Sequence, residues 1–256
     1  MIELESHSCD KIEYLYNQND INLVSQKHTH RSFELALVLE GCLVCELDSR
    51  SIELHKNQAL LVLPGQIHSY RTDEYCESSL CVFSSDWVSD FHMEMKGKCF
   101  ENPVFSLEGE RVRELLQDKG SSRYQIKAVL YDICSRLYSS SPVNRLNEAD
   151  FLLANSLAFY IQSNYRQKID LKTMAKDMGY SYCYLSSFFN RTFSVGFSAY
   201  VNSYRTEAAK DYLRHTTMDI SEISALCGFE TVRNFNRIFK SLTGKTPRQY
   251  RGIISG

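Results

Sequence analysis

Asp219-Ile220-Ser221-Glu222-Ile223-Ser224-Ala225-Leu226-Cys227-Gly228-Phe229-Glu230 is written on the same plan as an earlier stretch, Asp170-Leu171-Lys172-Thr173-Met174-Ala175-Lys176-Asp177-Met178-Gly179-Tyr180-Ser181. Each reads as a helix, a tight turn and the start of a second helix. An Asp precedes each apolar-periodic run, where its carboxylate can accept from free backbone N–H groups, and Glu222 adds the other half of a capping box. Each helix stops at a glycine, Gly179 or Gly228, that can take the left-handed conformation of a sharp exit. The aromatic residue that follows, Tyr180 or Phe229, is expected to pack under the turn.

The second helices carry apolar stripes at helical spacing, Leu185, Phe188, Phe189 and Phe193 in the first copy and Phe235, Ile238, Phe239 and Leu242 in the second. Matching Leu185 to Phe235, Phe189 to Phe239 and Tyr200 to Tyr250 requires one extra residue in the second turn. Either copy alone would pass for an ordinary helical hairpin. Charge favours more. From Glu148 onward there are 14 Lys and Arg against 9 Asp and Glu, a balance of +5; before it the counts are 15 and 22, or −7. Arg191, Arg205, Arg237, Lys240, Lys245, Arg248 and Arg251 fall on or just after the second helices, where a nucleic acid would present phosphates.

The segment from Ile220 to Arg251 resembles the signature of the AraC-type transcription regulators, through Ile220-Ser221-Glu222-Ile223-Ser224, Cys227-Gly228-Phe229, Asn234-Phe235-Asn236-Arg237-Ile238-Phe239-Lys240, Thr243-Gly244-Lys245-Thr246-Pro247 and Tyr250-Arg251. The first copy is similar but looser, keeping Met174-Ala175, Gly179, Ser181, Tyr184-Leu185, Phe189, Tyr204-Arg205, Ala208-Ala209 and Tyr212-Leu213. The resemblance implies two helix-turn-helix units, about 170–193 and 219–242, joined by a long helix and entering successive major grooves of double-stranded DNA. Where the family often opens the first recognition helix with Pro-Ser, this chain has Tyr182-Cys183; where Arg and Lys are usual, it has Ser187 and Asn190. By carry-over the outward residues are Cys183, Ser186 and Ser187, with Arg191 behind them, in the first unit. In the second they are Val232, Arg233, Asn236 and Arg237, followed by Lys240 and Arg248. Arg233 can grip guanine and Asn236 adenine in bidentate fashion, while Arg237 suits either a base or a phosphate. Ser194 stands where the second copy has Gly244, so the turn after the first recognition helix is expected to differ.

Residues 1–105 alternate strand-like runs with turns, Phe33 to Leu39, Gly41 to Asp48, Ala59 to Leu63 and Ser79 to Ser84 among them, as in a sandwich or barrel. Residues 106–138 read as helical. There Ile126, Leu130, Ile133 and Leu137 form a stripe that suits either a homodimer seam or packing on the helix's own domain. Residues 139–147 read as a linker and 148–256 as the DNA-binding domain. The fold expected is therefore an N-terminal all-β cupin-like barrel with following helices and a C-terminal all-α domain.

His28, His30 and Glu34, followed by Gly41 and then Pro64-Gly65 and His68, resemble the two cupin motifs, in which three imidazoles and a carboxylate converge inside a barrel. Such a set suits a first-row transition metal. The match is incomplete: the Pro is shifted by one position, Asn22 replaces an early Gly, and a late Asn is missing. In the sensor domains of AraC-type regulators such positions often persist without metal. His28, His30, Glu34, His68 and Tyr70 are accordingly the expected effector-binding residues, with no cofactor, for a polar molecule such as a sugar or an organic acid. Cys42-x-x-Cys45 has metal-like spacing, but residues three apart on a strand face opposite ways. Nine cysteines, an odd number scattered along the chain, suit reduced thiols in a cytoplasm. The absence of an export-like N-terminus or a membrane-length apolar run points the same way. Two functions follow: a DNA-binding regulator controlled by a small effector, or a metal-dependent cupin oxygenase or isomerase with an accessory DNA-binding segment.

Overall fold

The structure, a computed structural model, describes residues 14–25, 27–48 and 50–254. The N-terminal stretch read for an export signal lies outside them. The described chain divides into two compact units, with Asn155 the last residue of one and Ser156 the first of the other.

The first unit is built on seven antiparallel strands, β1 (Leu15–Ile21), β2 (Phe33–Leu47), β3 (Arg50–His55), β4 (Gln58–Val62), β5 (His68–Arg71), β6 (Cys76–Phe83) and β8 (Val104–Ser106). The two runs expected on either side of residue 40 are one long strand. The first half of β2 pairs with β4 and β6, and the second with β3 and β5, after an irregularity between Val38 and Glu40. Gly41 makes this bend possible: its φ is +78°, and a Cβ there would lie 2.0 Å from the carbonyl oxygen of Tyr75. Odd-numbered residues Phe33, Leu35 and Leu37 face an apolar layer. Glu34, paired with Val62 and Val82, faces the opposite, inner side.

That apolar layer includes α1 (Ser89–Met95), α2 (Gly109–Gln117) and α3 (Arg123–Ser140). Leu130, Ile133 and Leu137 of α3 are buried in it and Ile126 packs at its edge, so the stripe serves its own domain and is not a free dimer seam. The expected linker over 139–147 instead holds the end of α3 and strand β9 (Val143–Arg145), which pairs with β7 (Lys98–Phe100). Backbone pairing, absent from any local sequence signal, overrides the Ser-Pro composition there. Helix α4 (Glu148–Asn164) follows.

The second unit contains α5 (Leu171–Asp177), α6 (Tyr182–Phe193), α7 (Phe197–His215), α8 (Ile220–Leu226), α9 (Val232–Thr243) and α10 (Pro247–Ile254). The caps are where the sequence puts them. Thr173 N donates to Asp170 Oδ1 at 2.9 Å, and Asp219 N donates to Glu222 Oε2 at 3.0 Å. Ser181 and Thr231 then accept from Tyr184 N and Asn234 N to start the second helices. Gly179 and Gly228 have φ of +76° and +80°. Helix α7 packs on both copies, burying Tyr200, Tyr204, Ala208, Ala209 and Leu213.

Candidate nucleic-acid interface and ligand site

The recognition helices α6 and α9 each bury one face and expose the other. Leu185, Phe188, Phe189 and Phe193 lie inward on α6, as Phe235, Ile238 and Phe239 do on α9; Leu242, expected in the same stripe, is 38% exposed. Outward on α9 stand Val232, Arg233, Arg237 and Lys240, with Asn236 half-buried beside them and Arg248 exposed on α10. Arg237 donates to Asn234 Oδ1 at 2.9 Å, which orients its guanidinium along the helix. The equivalent face of α6 presents Cys183, Ser187 and Asn190, with Arg191 lying over the Phe188 ring. Ser186 is half-buried and lines a surface groove with Asn190, Asp170 and Lys172.

Three expectations about these units need correction. Phe229 is buried against Phe235, but Tyr180 is 41% exposed and stacks on Tyr184 instead of packing under its turn. Arg205, expected among the phosphate contacts, is instead engaged within its own unit. It donates to the carbonyls of Tyr165 and Gln167 at 2.8 and 2.9 Å, and half-burial draws its pKa down. The turn after α6 does not differ from that after α9: Ser194 takes φ +57° and Gly244 +74°, and both N–H groups donate to the carbonyl four residues back. Tyr182 and Tyr184, which were not among the outward residues expected from the sequence, are 53% and 48% exposed at the start of α6.

The five expected sensor residues come together inside the strand unit. His68 Nε2 lies 3.4 Å and His30 Nε2 3.5 Å from the Glu34 carboxylate, and Tyr70 OH donates to Glu34 Oε1 at 2.7 Å. The His28 ring centroid is 4.2 Å from that of His68. Burial pushes the Glu34 carboxyl up, but hydrogen bonds and charge from His30 and His68 outweigh it and hold it well below its ordinary range. Burial and the Glu34 charge keep Tyr70 protonated as a donor. His30 Nδ1 faces Ser32 O at 3.0 Å and His68 Nδ1 faces Gln66 O at 3.1 Å. A carbonyl only accepts, so each neutral ring carries its proton on Nδ1 and turns the Nε2 lone pair towards the carboxylate. A cation between these rings and the carboxylate would relieve the opposition of lone pairs. His28, His30, Glu34 and His68 place one donor atom each within 4.8 Å of one another and so fit a divalent transition metal.

None of the five lines the cleft of about 400 Å³ in the same unit. Its walls combine Phe33, Leu63, Met95, Leu146 and Phe151 with Arg31, His92, Lys96 and Lys98. Sequence reasoning missed this site, because its residues come from segments far apart in the chain. The His/Glu centre nevertheless braces its wall. Gly65 N donates to His30 O at 2.8 Å, and the backbone carbonyl of Gln66, a wall residue, accepts from His68 Nδ1 at 3.1 Å.

Comparison with known proteins places this architecture. Residues 12–159 match the family of AraC-like ligand binding domains, and residues 174–253 match a helix-turn-helix domain family. The chain belongs to the AraC-type regulators. ToxT from Vibrio cholerae shares the fold, with a TM-score of 0.64 at 14% identity over 96% of this chain and all of ToxT. A second ToxT structure, with an unsaturated fatty acid bound, matches at 0.62 and 12% identity, covering 93% of this chain and 94% of that one. An uncharacterized HTH-type transcriptional regulator of Staphylococcus aureus strain MSSA476 is 35% identical over 98 residues, 38% of this chain. YtdP of Bacillus subtilis, also uncharacterized, is 33% identical over 99 residues, 39% of this chain. The match spans only 13% of the length of either relative. Among the described residues, no helix is long and apolar enough to cross a membrane.

Proposed function

We propose that this protein is a sequence-specific DNA-binding transcription regulator whose strand unit senses a small effector. The observation that carries this reading is the outward face of α9, where Arg233, Asn236, Arg237 and Lys240 stand opposite a buried apolar face. Arg233 and Asn236 read base edges in the major groove, while Lys240 and Arg248 hold phosphates. A duplex selected from a random library tests it: binding that falls steeply with salt yet prefers the selected site over a scrambled one is expected. Equal affinity for both duplexes would overturn sequence reading.

The effector is an amphipathic organic anion in the cleft, its acid group near Arg31, Lys96 and Lys98 and its apolar body against Phe33, Leu63, Met95 and Phe151. This departs from the expectation of a polar molecule such as a sugar or an organic acid, because much of the cleft wall is apolar. Support comes from ToxT, crystallised with an unsaturated fatty acid and with a naphthyl-substituted butenoic acid. His28, His30, Glu34, His68 and Tyr70 are positioning residues behind the wall. A bound divalent ion on His28, His30, Glu34 and His68 would supply charge neutralisation and a fixed geometry there. Titrating duplex binding with a monounsaturated fatty acid and with its methyl ester is the test. The acid shifts affinity and the ester does not; Lys96→Gln with Lys98→Gln weakens the response, and Glu34→Gln or His68→Ala removes it with effector-free duplex affinity intact. An equal response to acid and ester would refute the anion site. Metal analysis of protein purified without chelator asks whether the centre holds an ion. A bound metal together with turnover of a candidate substrate would revive the cupin-enzyme alternative.

The regulator works as a homodimer. With the Leu130 stripe buried, the free face of α3 carries Tyr124, Ala128, Tyr131, Ser135 and Tyr138, all exposed. Their spacing alternates four and three, and large residues alternate with small, so the face complements a second copy of itself. Tyr131→Glu is expected to sediment as a folded monomer, whereas Leu130→Glu disrupts the strand unit itself. A Tyr131→Glu protein that remained dimeric would place the interface elsewhere.

A further inference from the structure

The Cys-x-x-Cys spacing at Cys42 and Cys45 does not form a chelating pair. Cys45 is buried on the inner side of β2, whereas Cys42 is partly exposed. What the sequence pattern could not reveal is the strand laid beside it. In the β2–β3 hairpin Cys42 pairs directly with His55, and Glu53 lies two residues before His55 on the same face. A thiol, an imidazole and a carboxylate thus meet across one hairpin, their donor atoms within 4.8 Å of one another.

We propose that Cys42, Glu53 and His55 form a binding site for a borderline divalent cation, Zn²⁺ being the best fit. Sulfur, nitrogen and oxygen donors together suit zinc, whereas magnesium and calcium prefer oxygen donors alone. A tetrahedral zinc with bonds of about 2.0–2.3 Å needs donors roughly 3.3–3.7 Å apart. Glu53 and His55 are exposed side chains that can close the remaining ångström by rotamer adjustment. The backbone beneath them is laddered from Cys42 to Leu47, and His55 N donates to Gln58 Oε1 at 2.8 Å, so the frame is fixed. Charge acts the same way, since Glu53, Asp73 and Glu74 place negative charge around Cys42 that favours a cation there. Binding releases the thiol proton to solvent as the Zn–S bond forms. Three protein donors leave a fourth position for water. This site is separate from the His28/His30/Glu34/His68 centre, which contains no sulfur.

That chemical difference gives the test. Reduced full-length protein is titrated with cobalt(II), whose bond to a thiolate produces a charge-transfer band in the near ultraviolet that an all-histidine and carboxylate centre cannot. The band is expected to rise to saturation as cobalt is added, and zinc to erase it. Cys42→Ser and His55→Ala each lose the band with unchanged circular dichroism, while Cys183→Ser, which removes another exposed thiol, keeps it. Competition with a chromophoric chelator should show zinc held at this site about tenfold or more weaker in His55→Ala. Absence of the band from the unmodified protein, or its persistence in Cys42→Ser, overturns the proposal.

Discussion

The two helix-turn-helix units share a backbone and differ in what they show to solvent. Both open with an Asp or Ser/Thr cap, turn at a glycine with positive φ, and close their second helix in the left-handed conformation. At four matched positions the side chains diverge: Cys183 against Arg233, Ser186 against Asn236, Ser187 against Arg237, and Asn190 against Lys240. The turn diverges too. Gly228 sits against the backbone of Tyr165 and Arg166, where an added Cβ would approach the carbonyl oxygens to 2.5 and 2.7 Å; around Gly179 there is open space within 4 Å. Arg205 completes the asymmetry by holding that same Tyr165 to Gln167 segment, with its guanidinium 5.9 Å from the Phe229 ring. A duplicated frame has thus been divided between a unit whose turn is locked and whose surface is charged and a unit that is looser and nearly neutral. On the proposed function, base reading and phosphate grip would fall on the second copy.

The sharpest break in this comparison is Gly228→Ala. Left-handed strain and a backbone collision act together there, so about 4 kcal/mol of destabilisation is expected. Gly179→Ala carries only the conformational cost, about 1 kcal/mol. Urea midpoints for the two variants check it, and equal shifts would mean that the Tyr165 contact contributes nothing. Next in size are the DNA contacts. Arg233→Ala and Asn236→Ala should each lose about 1–3 kcal/mol against the preferred duplex and relax its sequence choice. Cys183→Ala and Ser187→Ala should lose under about 1 kcal/mol, while Arg248→Ala weakens all duplexes alike and lowers the salt slope by about one. Fluorescence titration of preferred and scrambled duplexes separates these outcomes. A loss for Cys183→Ala as large as that for Arg233→Ala would abolish the division between the copies.

What could be read from the sequence was local. Asp170, Asp219, Gly179 and Gly228 announce themselves because caps and turns depend on a few adjacent residues. The convergence of His28, His30, Glu34, His68 and Tyr70 was also legible, since motif spacing on neighbouring strands survives translation into space. Partner choice was not. An amphipathic stripe such as Leu130, Ile133 and Leu137 states that something apolar covers it, not whether that is the same chain or another, and here it is Phe33, Trp87 and Phe91 of the same unit. The cleft was invisible for a similar reason, being assembled from Arg31, Leu63, Lys96 and Phe151, none a sequence neighbour of the next. Tyr180 was misjudged because a match in residue type was taken as a match in burial; its turn is one residue shorter than that before Val232.

The smallest expected effect tests how far the frames are interchangeable. Ser194 and Gly244 occupy equivalent left-handed positions, and sequence alone suggested different turns for them. At Gly244 an added Cβ meets nothing within 4 Å, so the only obstacle to a side chain is the crowding of Cβ against its own backbone at φ +74°. That cost is partly offset because serine restricts the unfolded chain more than glycine does. Gly244→Ser is therefore expected to cost about 0.5–1 kcal/mol, with an unchanged denaturant slope and unchanged duplex affinity. Ser194 already shows that the backbone accepts serine in this conformation, which makes the substitution a transplant from one copy to the other. A loss well beyond 1 kcal/mol, or a fall in duplex affinity at constant stability, would show that the second turn needs glycine for something besides its conformation, such as close approach of the DNA backbone to Gly244 and Lys245.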